Sequence, residues 1–433
     1  MWSCVLFPIP YSLFPIFPLR SSEMFDATQA RRRQGPQGRF DLPLLVALVG
    51  LACVGLVMIT SSSIAVADSQ HLGAFYFLKK HLMFLGLGMV LAGVAMRTEL
   101  KVLEKNSFLL LLLAFILLLA VFLPFLGMRL NGARRWLNLI VTSFQPVEAV
   151  KLILVVYIAS YLVRHREGVE TRFLGLLKPI MVAGLMVVLL LLQPDFGSAM
   201  LVISVTIAMV WLGGARPIFL FGMGLPLMPL LAIAATSESY RMKRLTSFMD
   251  PWKDPFNDGF QLTQSLMAIG RGEWTGVGLG SSVLKLSYLP EAHTDFIFAV
   301  ISEELGLAGI LGVMSLFALT VGRGLYLGLK GVELGQRFAG YVAFGVSLMI
   351  GLQTMVSIGV NLGALPTKGL TLPLISYGGS SMVLTCAMAG VLLRATYEIN
   401  RAIDARQMAT RMPALAVADA NAAAATAREA VSA

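Results

Sequence analysis

The residues S-Y-L-P-E-A-H-T-D-F-I-F-A-V-I-S-E-E-L-G, from Ser287 to Gly306, decide how the rest of this chain is interpreted. A polar run that contains Glu291, His293 and Asp295 changes at Asp295 into an apolar segment, which is typical of a membrane-spanning helix. A carboxylate at the edge of a membrane helix, under a long polar loop, contributes little to packing. It is well placed to act on a substrate at the membrane surface, so Asp295 is the candidate reaction centre.

The composition is that of a polytopic membrane protein. Of the 433 residues, 57% are hydrophobic and 13% are charged, whereas about 25% of the residues in a soluble domain are charged. The net charge of +10 indicates orientation signals and contact with anionic lipid. Nucleic acid is not an expected partner, because no compact basic domain is present to bind it. The three cysteines are far apart and predict neither a disulfide framework nor a metal cluster.

Apolar segments that are long enough, or nearly long enough, to cross a hydrocarbon layer of about 30 Å recur along the chain. They predict an all-α polytopic membrane protein with ten transmembrane helices near residues 42–62, 78–96, 107–127, 146–163, 179–194, 197–213, 217–236, 296–320, 338–361 and 380–396. A long extracytoplasmic loop, residues 237–295, separates the seventh helix from the eighth. Most of the 34 Lys and Arg are cytoplasmic if the N-terminus is inside, so the positive-inside rule selects this orientation.

Two tails flank the predicted membrane domain, residues 42–401. Residues 1–41 are expected to form a cytoplasmic tail, in which the closely spaced prolines of residues 1–23 exclude a stable helix. Because this segment also lacks the pattern of a signal peptide, we expect an over-extended gene start, with Met24 as the first residue. Residues 402–433 are Ala-rich, and we expect a cytoplasmic tail that is disordered or marginally helical.

Several positively charged residues are predicted on the outer side of the membrane, where the positive-inside rule disfavours them, so their presence there needs an explanation. A solvated loop surface explains any single one of them. As a set they favour convergence on an anionic ligand such as a phosphate. They are Lys79, Lys80, Arg129, Arg134, Arg135, Arg241, Lys243, Arg244, Lys253, Arg271, Lys285 and Lys368.

Two carboxylates near predicted helix ends have structural as well as functional interpretations. Glu148 lies three residues before Lys151 on one helical face, inside an apolar segment where an unpaired charge is costly. An intrahelical ion pair and a role in a polar cavity both remain open for these two residues. Asp195, which follows Gln193 and Pro194, is expected to cap the next helix.

Asp295 has a structural alternative of its own, as the N-cap of the eighth helix. A cap does not explain the adjacent Glu291 and His293 or the surrounding cations, which would keep the carboxylate ionised as a general base requires. Glu303 and Glu304, farther along this helix, are either functional or a buried structural pair.

Irregular polar segments accompany this helix on both sides. The glycines of G-V-G-L-G, residues 276–280, lack the context of a nucleotide-binding fingerprint and predict a flexible re-entrant or surface loop. The last outer loop, N-L-G-A-L-P-T-K-G-L-T-L-P-L-I-S-Y-G-G-S-S, contains Lys368, Ser376 and Tyr377. Broken backbone at membrane depth is tolerated only where it lines a cavity or is buried in protein.

Five motifs in this order resemble the SEDS family (shape, elongation, division, sporulation), the bacterial membrane glycosyltransferases represented by RodA and FtsW. They are N-G-A-R-R-W, F-Q-P-V-E-A-V-K, Q-P-D-F-G-S-A, Y-L-P-E-A-H-T-D-F-I-F and P-T-K-G-L-T-L-P-L-I-S-Y-G-G-S-S. The resemblance extends from about Leu42 to Arg401, and the last two motifs are closer to FtsW than to RodA. Val147 departs from the family, which usually has Ser or Ala before the Glu, but no catalytic residue is affected.

The resemblance implies a peptidoglycan glycosyltransferase that polymerises lipid II outside the bacterial inner membrane, at the division septum. The family's essential Asp matches Asp295, which would deprotonate the acceptor 4-hydroxyl in one inverting displacement of undecaprenyl diphosphate. Cations would stabilise the leaving diphosphate. The predicted cations are Arg135, Lys151 and Lys368, with Arg241 and Arg244 as further candidates; the other predicted substrate-binding residues are Glu148, Glu291, His293, Ser376 and Tyr377.

The resemblance also implies partners, namely lipid II, a class B penicillin-binding transpeptidase and the divisome. A divalent cation, Mg²⁺ or Mn²⁺, could assist the diphosphate, although the sequence supplies no clear ligand set. Two other functions remain open. A transporter that flips lipid II would share the fold and the substrate, and a non-enzymatic scaffold would only recruit septal enzymes.

Overall fold

The structure is a computed structural model that describes residues 38–130, 133–138, 143–222, 229, 247–257, 259–283, 292–367 and 369–432. Residues 39–402 form one compact unit. Apolar helices dominate this unit. The helices are α1 (Leu42–Ser69), α2 (Tyr76–Arg97), α3 (Leu100–Lys105), α4 (Ser107–Ala120), α5 (Pro146–Arg164), α6 (Arg166–Thr171), α7 (Phe173–Leu192), α8 (Phe196–Leu212), α9 (Phe260–Gly272), α10 (Ile297–Glu333), α11 (Arg337–Asn361) and α12 (Gly379–Ser432).

Seven of these helices, α1, α2, α5, α7, α10, α11 and α12, are long and apolar enough to cross a membrane, and α4 and α8 are shorter apolar helices. Nine of the ten predicted segments therefore coincide with a helix in the described part of the chain. The seventh, near residues 217–236, lies largely outside the described residues. The protein is a multi-pass helical membrane protein.

The interior of the unit is formed by α5, α11 and the first part of α12, in which most residues are buried. α2 and α7 expose most of their apolar side chains, as expected for helices that face lipid. α10 packs against α11, α1 and α9. The first residues of α10, which follow Asp295, are themselves buried, and the Ala299 N–H is bonded to Asn361 of α11.

Four predicted C-terminal helix ends were wrong. α1 continues to Ser69 instead of residue 62, α4 ends at Ala120 instead of residue 127, α10 continues to Glu333, and α12 continues to Ser432 through the tail predicted to be disordered or marginally helical. Hydropathy marks the apolar window of a helix and not its hydrogen-bonded end. In α10, for example, Arg323 Nε donates to Asp41 Oδ1 at 3.2 Å, so a charged residue is accommodated well inside the helix.

Turns at residues 121–126 replace the end of the third predicted helix, and a small antiparallel sheet follows them. Its strands are β1 (Gly127–Leu130), β2 (Ala133–Asn138) and β3 (Ser143–Phe144), in the order β1-β2-β3. Pro124 cannot continue a helix because it lacks an N–H group and clashes with the preceding turn. The sheet places Arg135 on β2, 11 residues before α5 begins at Pro146.

α10 is broken near its start at Gly306, whose φ of 62° and ψ of −159° are not helical. The segment that follows α9 is bonded to this break. The Val277 N–H donates to Glu303 O at 2.9 Å, and the Gly278 N–H donates to Glu304 O at 3.1 Å. These bonds satisfy carbonyl groups that a continuous helix would have used internally.

The same segment also accepts hydrogen bonds from the other side of the break. The Leu307 N–H donates to Glu273 O at 2.9 Å, and the Ala308 N–H donates to Trp274 O at 3.1 Å. Around residues 276–280, where a flexible re-entrant or surface loop was predicted, the first residues are therefore bonded to α10, and the re-entrant alternative stays a prediction. Residues 273–278 replace the helical hydrogen bonds that α10 loses, which fixes the first helical piece, residues 297–305, in place.

Candidate active site

Asp295 lies two residues before α10. The helix begins at Ile297 and its N-cap is Phe296, so the alternative in which Asp295 caps the helix is wrong. The backbone of Asp295 is held from another helix, because Asn361 Nδ2 donates to Asp295 O at 3.0 Å. Asp295 is partly exposed. Its carboxylate is thus carried by a fixed segment without serving as a helix cap.

Asn361 ends α11 and is completely buried. Besides its bond to Asp295, its Nδ2 donates to Ser357 O at 2.8 Å, and its Oδ1 accepts from the Ala299 N–H at 3.1 Å. Its backbone carbonyl accepts from Ser265 Oγ on α9 at 2.8 Å. This one residue therefore connects α11 to the segment of Asp295, to the first turn of α10 and to α9.

The loop after α11, residues 362–378, contacts the Asp295 carboxylate at Gly369. A Cβ atom added to Gly369 would lie 2.8 Å from Asp295 Oδ2, closer than ordinary Cβ contacts. A side chain at this position would therefore displace the Asp295 carboxylate. Lys368 precedes Gly369 in the chain but lies outside the described residues.

His293 and Tyr377 form an aromatic cluster with Phe77 of α2. The ring centroids are 5.1 Å apart for Phe77 and His293, 5.5 Å for His293 and Tyr377, and 5.4 Å for Phe77 and Tyr377. The Tyr377 N–H donates to His293 O at 2.9 Å. Burial raises the pKa of Tyr377, with Lys80 acting in the opposite direction. The structure thus brings together two predicted site residues, one of which, His293, precedes Asp295 by two positions in the chain.

A chain of buried polar side chains connects α5 to the loop after α11. Lys151 is completely buried, and its Nζ donates to Glu148 Oε1 at 2.8 Å and to Gln353 Oε1 at 2.9 Å. Gln353 Nε2 donates to Thr371 O at 2.8 Å, and Thr371 Oγ1 lies 2.9 Å from Ser381 Oγ. The intrahelical ion pair is confirmed as part of a wider network. The substrate-binding roles predicted for Glu148 and Lys151 stay predictions.

Arg135 is bonded to the turn between α7 and α8. Its Nε donates to Gln193 O at 3.2 Å, its Nη2 donates to Pro194 O, and its Nη1 lies 4.0 Å from Asp195 Oδ1. Asp195 also accepts from the Ser198 N–H at 3.3 Å, which confirms it as the cap of α8. The described contacts of Arg135 are therefore internal, and its role at a substrate stays a prediction.

Ser376 lies in the same loop as Tyr377, but its side chain is bonded internally. Ser376 Oγ accepts from the Leu372 N–H at 2.7 Å, and the Ser376 N–H donates to Leu372 O at 2.9 Å. The serine is buried. These bonds close a turn, so the hydroxyl supports the loop, and its predicted contact with substrate stays a prediction.

Glu303 and Glu304 are both completely buried and bonded to neighbouring segments. Glu303 accepts from Ser282 Oγ and from Arg271 Nη1, the latter at 3.3 Å. Glu304 accepts from Ser61 Oγ of α1 at 2.7 Å. The structural interpretation accounts for these contacts, because both carboxylates join α10 to segments that pack against it.

Four predicted site residues, Arg241, Arg244, Glu291 and Lys368, lie outside the described residues, and their roles stay predictions. The described part of the chain contains no group of three or more His, Cys, Asp or Glu that could hold a metal ion. The involvement of Mg²⁺ or Mn²⁺ also stays a prediction.

Two buried amides of α11, Asn361 and Gln353, were missed by the sequence analysis. Asn361 begins the quoted motif of the last loop, where it gave no periodic signal. Gln353 is a polar residue within an apolar helix, and such residues usually bond across helices. That signal was present, but the bonding partner could not be inferred from spacing.

The fold and the site together define a polytopic membrane protein in which a carboxylate, fixed at the start of a broken helix, faces a loop from the next helix. A sequence profile of the FtsW/RodA/SpoVE family, described as cell cycle protein, matches residues 42–401. The chain belongs to this family.

Relatives and solved structures agree with this assignment. A protein of Xanthomonas oryzae pv. oryzae named probable peptidoglycan glycosyltransferase FtsW is 56% identical over 86% of this chain and 76% of its own length. A protein of Thioalkalivibrio sulfidiphilus with the same name is 46% identical over 84% of this chain and 93% of its own length.

Two solved structures are similar in fold. A chain of a peptidoglycan synthase complex, described as coordinating polymerization and crosslinking, has a TM-score of 0.69 and 30% identity, covering 83% of this chain and 98% of that chain. The rod shape determining protein RodA of Thermus thermophilus has a TM-score of 0.59 and 27% identity, covering 82% of this chain and 96% of that chain.

Proposed function

We propose that this protein is a peptidoglycan glycosyltransferase that polymerises lipid II during septal cell-wall synthesis, on the outer side of the bacterial cytoplasmic membrane. Family membership and the names of the relatives support the reaction class. The observation that carries the proposal is the placement of Asp295. Its carboxylate is held at the start of α10 against Gly369, with its backbone bonded to a buried asparagine.

The proposed reaction is a single inverting displacement. The 4-hydroxyl oxygen of the acceptor GlcNAc attacks C1 of the donor MurNAc, and the bond from C1 to the diphosphate oxygen breaks. The electron pair of that bond leaves with undecaprenyl diphosphate, and the hydroxyl proton passes to the Asp295 carboxylate. The α-linked donor thereby becomes a β-1,4-linked product without a covalent enzyme intermediate.

The departing diphosphate requires positive charge where its own charge develops. Lys368 adjoins Gly369 in sequence and is the first proposed ligand, with Arg241 and Arg244 of the long loop as further ligands. The ammonium of Lys151 and the guanidinium of Arg135 are already bonded within the protein. In this proposal both residues add positive charge to the site, Arg135 from a partly exposed side chain and Lys151 from a completely buried one.

A crosslinking partner follows from the same similarity. The synthase complex whose chain resembles this one is described as coordinating polymerization and crosslinking. We infer a class B penicillin-binding transpeptidase as the partner of this protein, and the FtsW names of the relatives support its action with the divisome at the septum.

The test is polymerisation of lipid II by the purified protein together with its transpeptidase partner. Asp295→Asn removes the base and retains the shape of the side chain, so we expect the rate to fall by about 10²- to 10⁴-fold. Asp254→Asn serves as the matched control. It alters another carboxylate of the same long loop, which accepts from Asn257 Nδ2 at 2.9 Å, and should leave the rate unchanged.

The outcomes also separate the two other functions. A transporter would move lipid II across vesicles while forming no glycan polymer, and a scaffold would support division in cells that carry Asp295→Asn. Full polymerising activity of Asp295→Asn would refute the assignment of the base. The expected cellular result for an enzyme is a dominant-negative, filamenting phenotype.

A further inference from the structure

We propose that α11 sets the separation between the Asp295 carboxylate and the loop that faces it, with Asn361 and Gln353 as positioning residues for the reaction. This inference rests on the proposed function and deepens it. The carboxylate and Gly369 belong to two segments far apart in sequence. Each of these segments is held by one side-chain amide of the same helix.

The first amide holds the segment of Asp295. Asn361 Nδ2 donates to Asp295 O at 3.0 Å, and Asn361 Oδ1 accepts from the Ala299 N–H at 3.1 Å. Bonds on both sides of residues 296–298 fix where this segment enters α10. Because Asn361 is completely buried, loss of either bond would leave a polar group unpaired and out of contact with water, which is unfavourable. The segment is therefore strongly held to α11.

The second amide holds the facing loop. Gln353 Nε2 donates to Thr371 O at 2.8 Å, two residues after Gly369. The orientation of this amide is determined by Lys151, whose Nζ donates to Gln353 Oε1 at 2.9 Å. An ammonium group can only donate, so the amide oxygen faces Lys151 and the NH₂ group faces the loop. The buried ion pair of α5 thereby acts on the site through Gln353.

The two amides share one rigid support. They are eight residues apart on α11, or about 12 Å along a helix with a rise of 1.5 Å per residue. Most residues of α11 are buried among other helices. The distance between the Asp295 carboxylate and the facing loop is therefore set by a packed helix and not by a flexible loop. Such a support is needed because a misplacement of about 1 Å can lower the rate of a reaction by about 10²-fold.

The test measures kcat and KM for lipid II polymerisation with the transpeptidase partner present, using Asp295→Asn as the inactive reference. Asn361→Asp retains the size of the side chain and an acceptor for Ala299, but it places an oxygen against Asp295 O. We expect kcat to fall at least about 10-fold while KM changes by less than about 3-fold, since the base moves and the binding groups remain.

Gln353→Met provides the second arm, because it retains the approximate length of the side chain and cannot bond Thr371. It should lower kcat in the same way, and it carries the test if Asn361→Asp does not fold. Thr354→Val is the matched control. It removes from the same helix a buried hydroxyl that has no hydrogen-bond partner in the part of the chain that the structure describes, and it should leave kcat and KM unchanged.

The possible results separate this inference from the function on which it rests. Wild-type kcat in folded Asn361→Asp and Gln353→Met, with Asp295→Asn inactive, would overturn the positioning role and leave the base intact. A decrease in kcat that is proportional to the decrease in folded protein, or that is equally large in Thr354→Val, would also overturn the positioning role. An active Asp295→Asn would instead refute the proposed base.

Discussion

Gly276→Ala should undock the long loop from the break in α10, and the structure allows its cost to be worked out. Gly276 has a φ of +80°, and a Cβ atom there would collide with the Glu304 carbonyl and approach Leu305 N to 2.6 Å. These are backbone atoms of a packed helix and cannot rotate away. The loop itself must move.

The cost has two parts. A non-glycine residue in left-handed conformation costs about 1–2 kcal/mol. Undocking also breaks the bonds from Val277 to Glu303 and from Gly278 to Glu304, each contributing about 0.5–1.5 kcal/mol net. We therefore expect Gly276→Ala to lower the free energy of unfolding by about 2–5 kcal/mol.

Gly280→Ala is the matched control. Its φ of +81° is nearly the same, but no atom of the described residues lies within 4 Å of an added Cβ, so only the conformational cost of about 1–2 kcal/mol applies. Denaturant titration of both variants in detergent micelles measures the difference, and limited proteolysis after Arg271 reports undocking. Equal destabilisation by the two substitutions, or protection from protease in Gly276→Ala, would refute the docking argument.

Two further predictions concern the buried pair and the aromatic cluster. Lys151→Met leaves the Glu148 carboxylate buried without its cation and should lower the free energy of unfolding by about 3–5 kcal/mol. The double variant Glu148→Leu/Lys151→Met removes both charges and should lower the free energy of unfolding by less. Equal decreases for the two variants in the same denaturant titration would contradict this prediction. Burial raises the pKa of Tyr377, so its contribution to stability is complete below the unfolded pKa of about 10 and is lost as the pH rises through the folded pKa. Melting temperatures measured from about pH 9 to about pH 11 should therefore fall less steeply in Tyr377→Phe than in the wild type, and identical slopes would exclude the effect.

Much of the helical framework could be predicted from local sequence. Runs of apolar residues long enough to span a membrane can form only a few structures there, because every backbone polar group must be bonded internally. That constraint accounts for the agreement at α1, α2, α5, α8 and α11. It does not extend to helix ends, as α10 and α12 show, since charged residues can continue a helix once they are paired or exposed.

Asp295 could also be identified as a candidate functional residue from its sequence neighbours, because an acidic residue where a polar run meets an apolar helix is unusual. The cap of α8 by Asp195 and the pair of Glu148 with Lys151 followed from spacing as well, since both are interactions within one or two helical turns. Local geometry is contained in local sequence.

Contacts between distant segments could not be obtained in this way. Gly369 meets a carboxylate 74 positions away in the chain, and Asn361 reaches back to the same segment over 66 positions. No residue pattern encodes such a meeting, because it results from how α10 and α11 pack against each other. Local sequence thus accounts for the helices and for the acid at their edge, whereas the packing of those helices alone accounts for what that acid faces.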